Sequence, residues 1–102
     1  MTSKQRAYLI SLASGEQTII YIGKNGITPE LTASVDEALE ARELIKIGMQ
    51  QNCADVPASL AAVLSERTKS EVIQVIGRKI VLYREGKGKK KKIELPKPSK
   101  KG

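Results

Sequence analysis

Thr18-Ile19-Ile20-Tyr21-Ile22-Gly23-Lys24-Asn25-Gly26-Ile27-Thr28-Pro29 passes from a β-branched apolar run, through a glycine-flanked turn, into a helix start. Too little alternation marks Thr18 to Ile22 for a one-sided strand, so the run reads as a central strand covered on both faces. Two glycines free the backbone for positive φ and for close approach to another molecule. Lys24 brings a positive charge between them, and Asn25 tolerates the left-handed conformation. Thr28 and Pro29 have the chemistry of an N-cap and a first helical residue. A helix N-terminus beside a glycine loop with a lysine suits phosphate. The same spacing also occurs in plain strand-to-helix turns, so the other parts of the chain must decide.

Working outward, Leu31, Val35, Ala38 and Leu39 lie on one face of a helix from Pro29 to about Arg42, with Glu30, Asp36, Glu37 and Glu40 on the other side. That acidic face repels a polyanion everywhere except at the helix N-terminal end. Leu44 to Met49 follows as a second strand with one less apolar face, and strand-helix-strand order implies parallel pairing. Asp55 is the candidate cap of a third helix, with Pro57 in its first turn and Val56, Leu60, Val63 and Leu64 as its stripe, ending near Thr68. Val72 to Ile76 and Ile80 to Tyr83 form a hairpin whose tight turn starts at Gly77 and carries Arg78 and Lys79 as a projecting basic pair. Upstream, Thr2 and Gln5 stand at capping-box spacing before a short helix over residues 4 to 13, ended by Gly15.

The element order is therefore α-β-α-β-α-β-β. It predicts a compact two-layer α/β domain, with a mixed four-stranded sheet, three helices and the GxxG loop between the first strand and the second helix. With 102 residues there is room for one core, which the composition builds from Ile, Leu, Val and Ala. Tyr8, Tyr21 and Tyr83 are the only aromatics, which counts against folds that stack bases on aromatic platforms. No histidine accompanies the single Cys53, so neither a zinc site nor a disulfide nor an imidazole-assisted thiol nucleophile is expected. Nothing approaches a membrane span or a signal-peptide core, and a cytoplasmic monomer without cofactor or metal is expected.

Charge is unevenly placed. Residues 1 to 86 hold ten Lys/Arg against ten Asp/Glu, whereas residues 87 to 102 hold eight lysines against Glu94 and carry the whole net charge of +7. Such a tail serves either polyanion attraction without sequence choice or solubility. The stretch is flexible in this reading from about residue 86, and residues 97 to 102 have the composition of a disordered basic tail.

Five blocks then carry a resemblance, in order and spacing: KQRAYL (4–9), YIGKNGITPEL (21–31), ALEARELIKI (38–47), QVIGRKIVLYRE (74–85) and IELP (93–96). Together they resemble, over residues 4 to about 96, the stand-alone bacterial CRM domain (chloroplast RNA splicing and ribosome maturation) of the YhbY type, which sets the expected domain at residues 1 to 96. The resemblance implies an RNA-binding α/β domain whose GxxG loop is compared with that of KH domains, associated with ribosomal RNA in large-subunit precursors and with ribosome assembly. It maps the glycine loop onto Gly23, Lys24, Asn25 and Gly26, and the basic hairpin onto Arg78 and Lys79. Two features depart from it: the connector before the first strand lacks the family's common proline, and the lysine tail beyond Pro96 has no counterpart.

The expected RNA contacts are Gly23, Lys24, Asn25, Gly26, Thr28, Arg78, Lys79, Arg84 and the tail lysines Lys89, Lys90, Lys91 and Lys92, with RNA shape rather than base identity as the feature recognised. Two other classes stay open. One is a protein adaptor docking on a ribosomal protein through the acidic helix. The other is a nucleotide-binding enzyme, against which stand the missing GK[ST] ending and the absence of a nearby histidine or carboxylate dyad.

Overall fold

The computed structural model describes residues 1–86 together with Ile93 and Leu95, so the expected RNA contacts at Lys89 to Lys92 and the tail from residue 97 lie outside the described residues. Seven elements run in the expected order: α1 (Ser3–Ala13), β1 (Thr18–Ile22), α2 (Pro29–Arg42), β2 (Leu44–Met49), α3 (Pro57–Thr68), β3 (Glu71–Ile76) and β4 (Lys79–Tyr83). The mixed sheet has the order β1-β2-β4-β3, with β1 parallel to β2 and the remaining pairs antiparallel.

Local chemistry accounts for the helix starts. Thr2 accepts from the Gln5 amide at 3.1 Å while the Gln5 side chain accepts from the Thr2 amide at 3.1 Å, a reciprocal capping box. Thr28 Oγ1 accepts from the Leu31 amide at 3.0 Å and caps α2, with Pro29 following it. Asp55, expected to cap α3, does not. The N-cap is Val56, without a side-chain bond, because the chain enters the helix one residue later, at Pro57. Gly15 does not end α1 as a left-handed cap either; positive φ among glycines falls on Gly26 and Gly77. Instead α1 closes through tightened turns, with the Gly15 amide on Leu12 O and the Glu16 amide on Ala13 O.

Alternation along β2 and β4 divides the core. Ile45, Ile47, Met49, Ile80 and Leu82 face α2 and α3, meeting Val35, Leu39, Leu60 and Leu64. Leu44, Val81 and Tyr83 face the other way, where Leu9 and Ala13 of α1 cover them together with Ile73. The sheet and the α2–α3 layer thus form the main body, and α1 lies across half of the opposite face.

The place of β1 in the sheet is a further expectation that the structure overturns. β1 is an edge strand, not a central one, and Ile19 and Tyr21 are 36% and 54% exposed on it. Its β-branched composition reports a fit to the pleated surface rather than burial on both sides. The strands between two neighbours are β2 and β4, and in β2 every residue other than Lys46 is buried.

Two buried polar groups mark the end of the sheet where β2 begins. Glu43 is fully buried with φ 67°, and its carboxylate accepts from the amides of Gly86 and Ile93, while its carbonyl accepts from the Arg84 amide. The Tyr83 hydroxyl is buried and has no hydrogen-bond partner among the described residues. Its burial, together with the negative charge of Glu43, Glu85 and Glu71, pushes the phenol pKa from 10.0 up to about 12. Because the folded state holds this proton more tightly, its contribution to stability is intact below pH 10 and is lost as the pH rises through 12. Two pH units correspond to about 2–3 kcal/mol. Urea titrations between pH 9 and 12 should show the Tyr83→Phe protein losing less stability than the parent over that interval; parallel losses would refute the assignment.

Candidate functional site

Three segments meet at the sheet edge where β1 and β2 end and the β3–β4 hairpin turns. The first is Gly23 to Gly26. The Gly26 amide donates to Gly23 O at 3.0 Å, and Lys24 and Asn25 both keep negative φ, which leaves a type I turn. Gly26 then takes φ 66°, so it is this glycine, not Asn25, that enters the left-handed region. A right-handed residue followed by a left-handed one forms a small concavity of main-chain N–H groups suited to anions. Among the described residues, the amides of Lys24, Asn25 and Ile27 have no protein acceptor. The side chains of Lys24 and Asn25 are exposed.

The second segment is the loop from Gln50 to Asp55. The Gln50 amide donates to Ile22 O at 2.9 Å, and the Gln50 side chain packs against Gly23, where a Cβ would lie 3.0 Å from Oε1. Asp55 presents Oδ2 at 3.0 Å from where a Cβ on residue 26 would stand. An exposed carboxylate therefore borders the amide concavity and opposes an anion there. Sequence marks neither Gln50 nor Asp55 as part of the site, because a polar loop between two apolar stripes gives no signal of which turn it will touch.

The third segment is the two-residue turn Gly77-Arg78, with positive φ at Gly77 alone, the pattern of a type II′ turn. Arg78 and Lys79 do not form a projecting pair. Arg78 Nη2 donates to Gln50 O at 2.6 Å and Cys53 O at 2.8 Å and so braces the second segment. Lys79 is the first residue of β4, and its Nζ reaches across the sheet to Thr18 Oγ1 at 3.1 Å. A two-residue turn leaves room for one exposed tip residue, and the strand pleat takes the next one away.

Thr28 lies at the start of α2, but its hydroxyl is already used by Leu31, Pro29 has no amide hydrogen, and Glu30 adds a negative charge in the first turn. The helix end is thus largely satisfied, and the turn before it offers the freer donors. Arg84 follows β4 at the opposite end of the sheet. Its guanidinium pairs with Asp36 at 2.6 Å and Glu40 at 3.4 Å and also donates to Thr68 O at 2.8 Å, so its charge is compensated locally. Gly23, Lys24, Asn25, Gly26, Thr28, Arg78 and Lys79 therefore come to one edge, and Arg84 does not. Among the described residues there is no group of side chains able to hold a metal, and no helix is long and apolar enough to cross a membrane.

Residues 1–84 match the CRS1 / YhbY (CRM) domain. The chain is 42% identical over 96 residues to the Bacillus subtilis protein named "Probable RNA-binding protein YqeI", covering 94% of this chain and 99% of that one. A Haemophilus influenzae protein named "RNA-binding protein" is 30% identical over 96 residues, covering 94% and 95%. The solution structure of SAV1595 from Staphylococcus aureus superposes with a TM-score of 0.78 at 49% identity, covering 94% of this chain and all of that one.

Proposed function

The chain belongs to the CRS1 / YhbY (CRM) domain family, and on that premise we propose that it binds RNA through the sugar-phosphate backbone. The grip is at the Gly23–Gly26 turn, where the amides of Lys24, Asn25 and Ile27 meet a phosphate and the Lys24 ammonium neutralises it. The observation that carries this reading is the set of donors without protein acceptors among the described residues, on a turn fixed by Gly26 and flanked by an exposed lysine. The relatives named as RNA-binding proteins support the ligand class. Contacts of this kind position the protein on a duplex or loop without reading bases. Lys79 and the lysines between residues 87 and 92 extend the footprint electrostatically, and each phosphate engaged adds about 0.7 to 0.9 to the slope of log affinity against log salt.

The RNA is proposed to be ribosomal RNA in precursors of the large subunit, with the protein assisting assembly in the cytoplasm as a binding factor rather than a catalyst. Crosslinking in cells, followed by sequencing of the attached RNA, tests this. Reads concentrated on large-subunit precursor RNA are expected, and reads spread over messenger RNA would overturn the assignment of the target. Because Asp55 borders the concavity, Asp55→Asn should tighten RNA binding about two- to fivefold at low salt, as expected for removing one exposed like charge. Titration with a fluorescent RNA hairpin checks it, and an unchanged or weaker affinity would place the phosphate elsewhere.

A further inference from the structure

Register places two rows of side chains on the sheet face that α1 shares: Thr18, Lys46, Val81 and Gln74, and beyond them Tyr21, Gly48, Lys79 and Ile76. Leu9 and Ala13 cover the end of this face at Leu44, Val81 and Tyr83. The outer row stays uncovered, with Tyr21 54% and Ile76 59% exposed. It holds an aromatic ring, an aliphatic side chain and a lysine, and the two rows together hold two lysines and no carboxylate.

The ring of Tyr21 has a built seat. A Cβ on residue 48 would stand 3.0 Å from its Cε1 and 3.1 Å from its Cδ1, so one side of the ring rests on the backbone of β2 because residue 48 is glycine. Lys79 Nζ lies 5.7 Å from the ring centroid and has no acidic partner among the described residues. Tyr21 is two residues before Gly23, roughly 7 Å along an extended strand. The uncovered row therefore continues directly from the amide concavity.

We propose that this row seats one unpaired nucleotide of the bound RNA, its base stacked on Tyr21 and its phosphate on Lys79. The inference rests on the RNA-binding reading above and goes further, naming the feature recognised: an unstacked base adjoining the gripped backbone. Charge complementarity selects the occupant, since a polyanion with a flat apolar base meets uncompensated lysine and an exposed ring together. Tyr21, 54% exposed, presents ring surface that any base can stack on once Lys79 turns to the phosphate, so stacking there tolerates sequence. Lys79 gives up an exposed bond to Thr18 and its place over the Tyr21 ring when it turns to a phosphate.

The test uses the full chain and a hairpin RNA with a short 3′ overhang, prepared once with bases and once with abasic residues, so that both probes carry the same number of phosphates. The parent protein should favour the base-bearing probe by about 5- to 100-fold, the range of one base–aromatic stack. Tyr21→Ala should abolish that preference without changing the salt slope, and Tyr21→Phe should keep it. Lys79→Ala should lower the slope by about 0.7. A 2-aminopurine in the overhang should be quenched by the parent and by Tyr21→Phe but not by Tyr21→Ala, whose fold is verified by circular dichroism. Equal binding of the two probes by the parent, or a preference surviving in Tyr21→Ala, would overturn the proposal. If binding is equal yet Lys24→Asp combined with Asn25→Asp weakens both probes, backbone recognition stands and only the stacking fails. If neither probe binds, both fail.

Discussion

A protein with Lys24→Asp and Asn25→Asp is expected to bind structured RNA about 10- to 100-fold more weakly at physiological salt, with the fold unchanged. One charge-assisted hydrogen bond to a phosphate contributes about 1.5–3 kcal/mol, which gives that range. The two new carboxylates would stand beside Asp55 at the mouth of the concavity, so an approaching phosphate would meet three negative groups where it had met one ammonium and one carboxylate. Both side chains are exposed, and aspartate is accepted at the central positions of a type I turn, so the substitution leaves the core alone. Affinity titrations at several salt concentrations with a precursor ribosomal RNA fragment check the result. The salt slope should fall by about 0.7 to 0.9 for each phosphate that the protein no longer engages. Unchanged affinity with an intact circular dichroism spectrum would remove the turn from the mechanism.

The largest effect on stability is expected at Glu43. Replacing it with alanine leaves the amides of Gly86 and Ile93 without their acceptor and vacates a fully buried side-chain volume. It does not relieve the backbone, because alanine at φ 67° is still strained. Losses of about 2–4 kcal/mol follow from stranded buried donors together with the cavity. The melting temperature should drop by roughly 10–25 °C for a domain of this size. Glu43→Gln keeps one oxygen acceptor and should recover part of the loss. Urea denaturation is the direct measurement, and an alanine variant within about 0.5 kcal/mol of the parent would show that the carboxylate does not hold the chain beyond β4 in place.

Sequence makes the segment from Thr18 to Met49 legible because each signal there is local. Thr28 and Pro29 fix a helix start by their own chemistry, Leu31, Val35 and Leu39 fix its inward face, and the short β-rich runs on either side leave little choice of element. Local signals do not say which strands have two neighbours, so β1 reads as central when β2 and β4 are. They also do not show where a long side chain will be used. Arg84 reads as a free cation in Val-Leu-Tyr-Arg-Glu, yet α2 brings Asp36 and Glu40 to it from more than forty residues away. Asp55 reads as a cap because aspartate suits caps, but the chain starts α3 beyond it and turns the carboxylate to Gly26. Glu43 gives no sign of burial, since a glutamate flanked by Arg42 and Leu44 resembles any solvent-facing helix end. In the candidate site, the turn is legible as a motif and its supports are not. Glycine spacing is written in the chain, whereas Gln50 and Arg78 act through backbone carbonyls that any sequence possesses.

Arg78, through its bonds to Gln50 O and Cys53 O, ties the hairpin to the loop on which the Gly23 turn leans. Flexible loops lose about 0.5–1.5 kcal/mol for each side chain they immobilise on association. Here the rim is assembled before any ligand arrives, so most of the ordering falls on the nucleic acid. Differences in affinity between RNAs should then track how far each is already shaped to the rim.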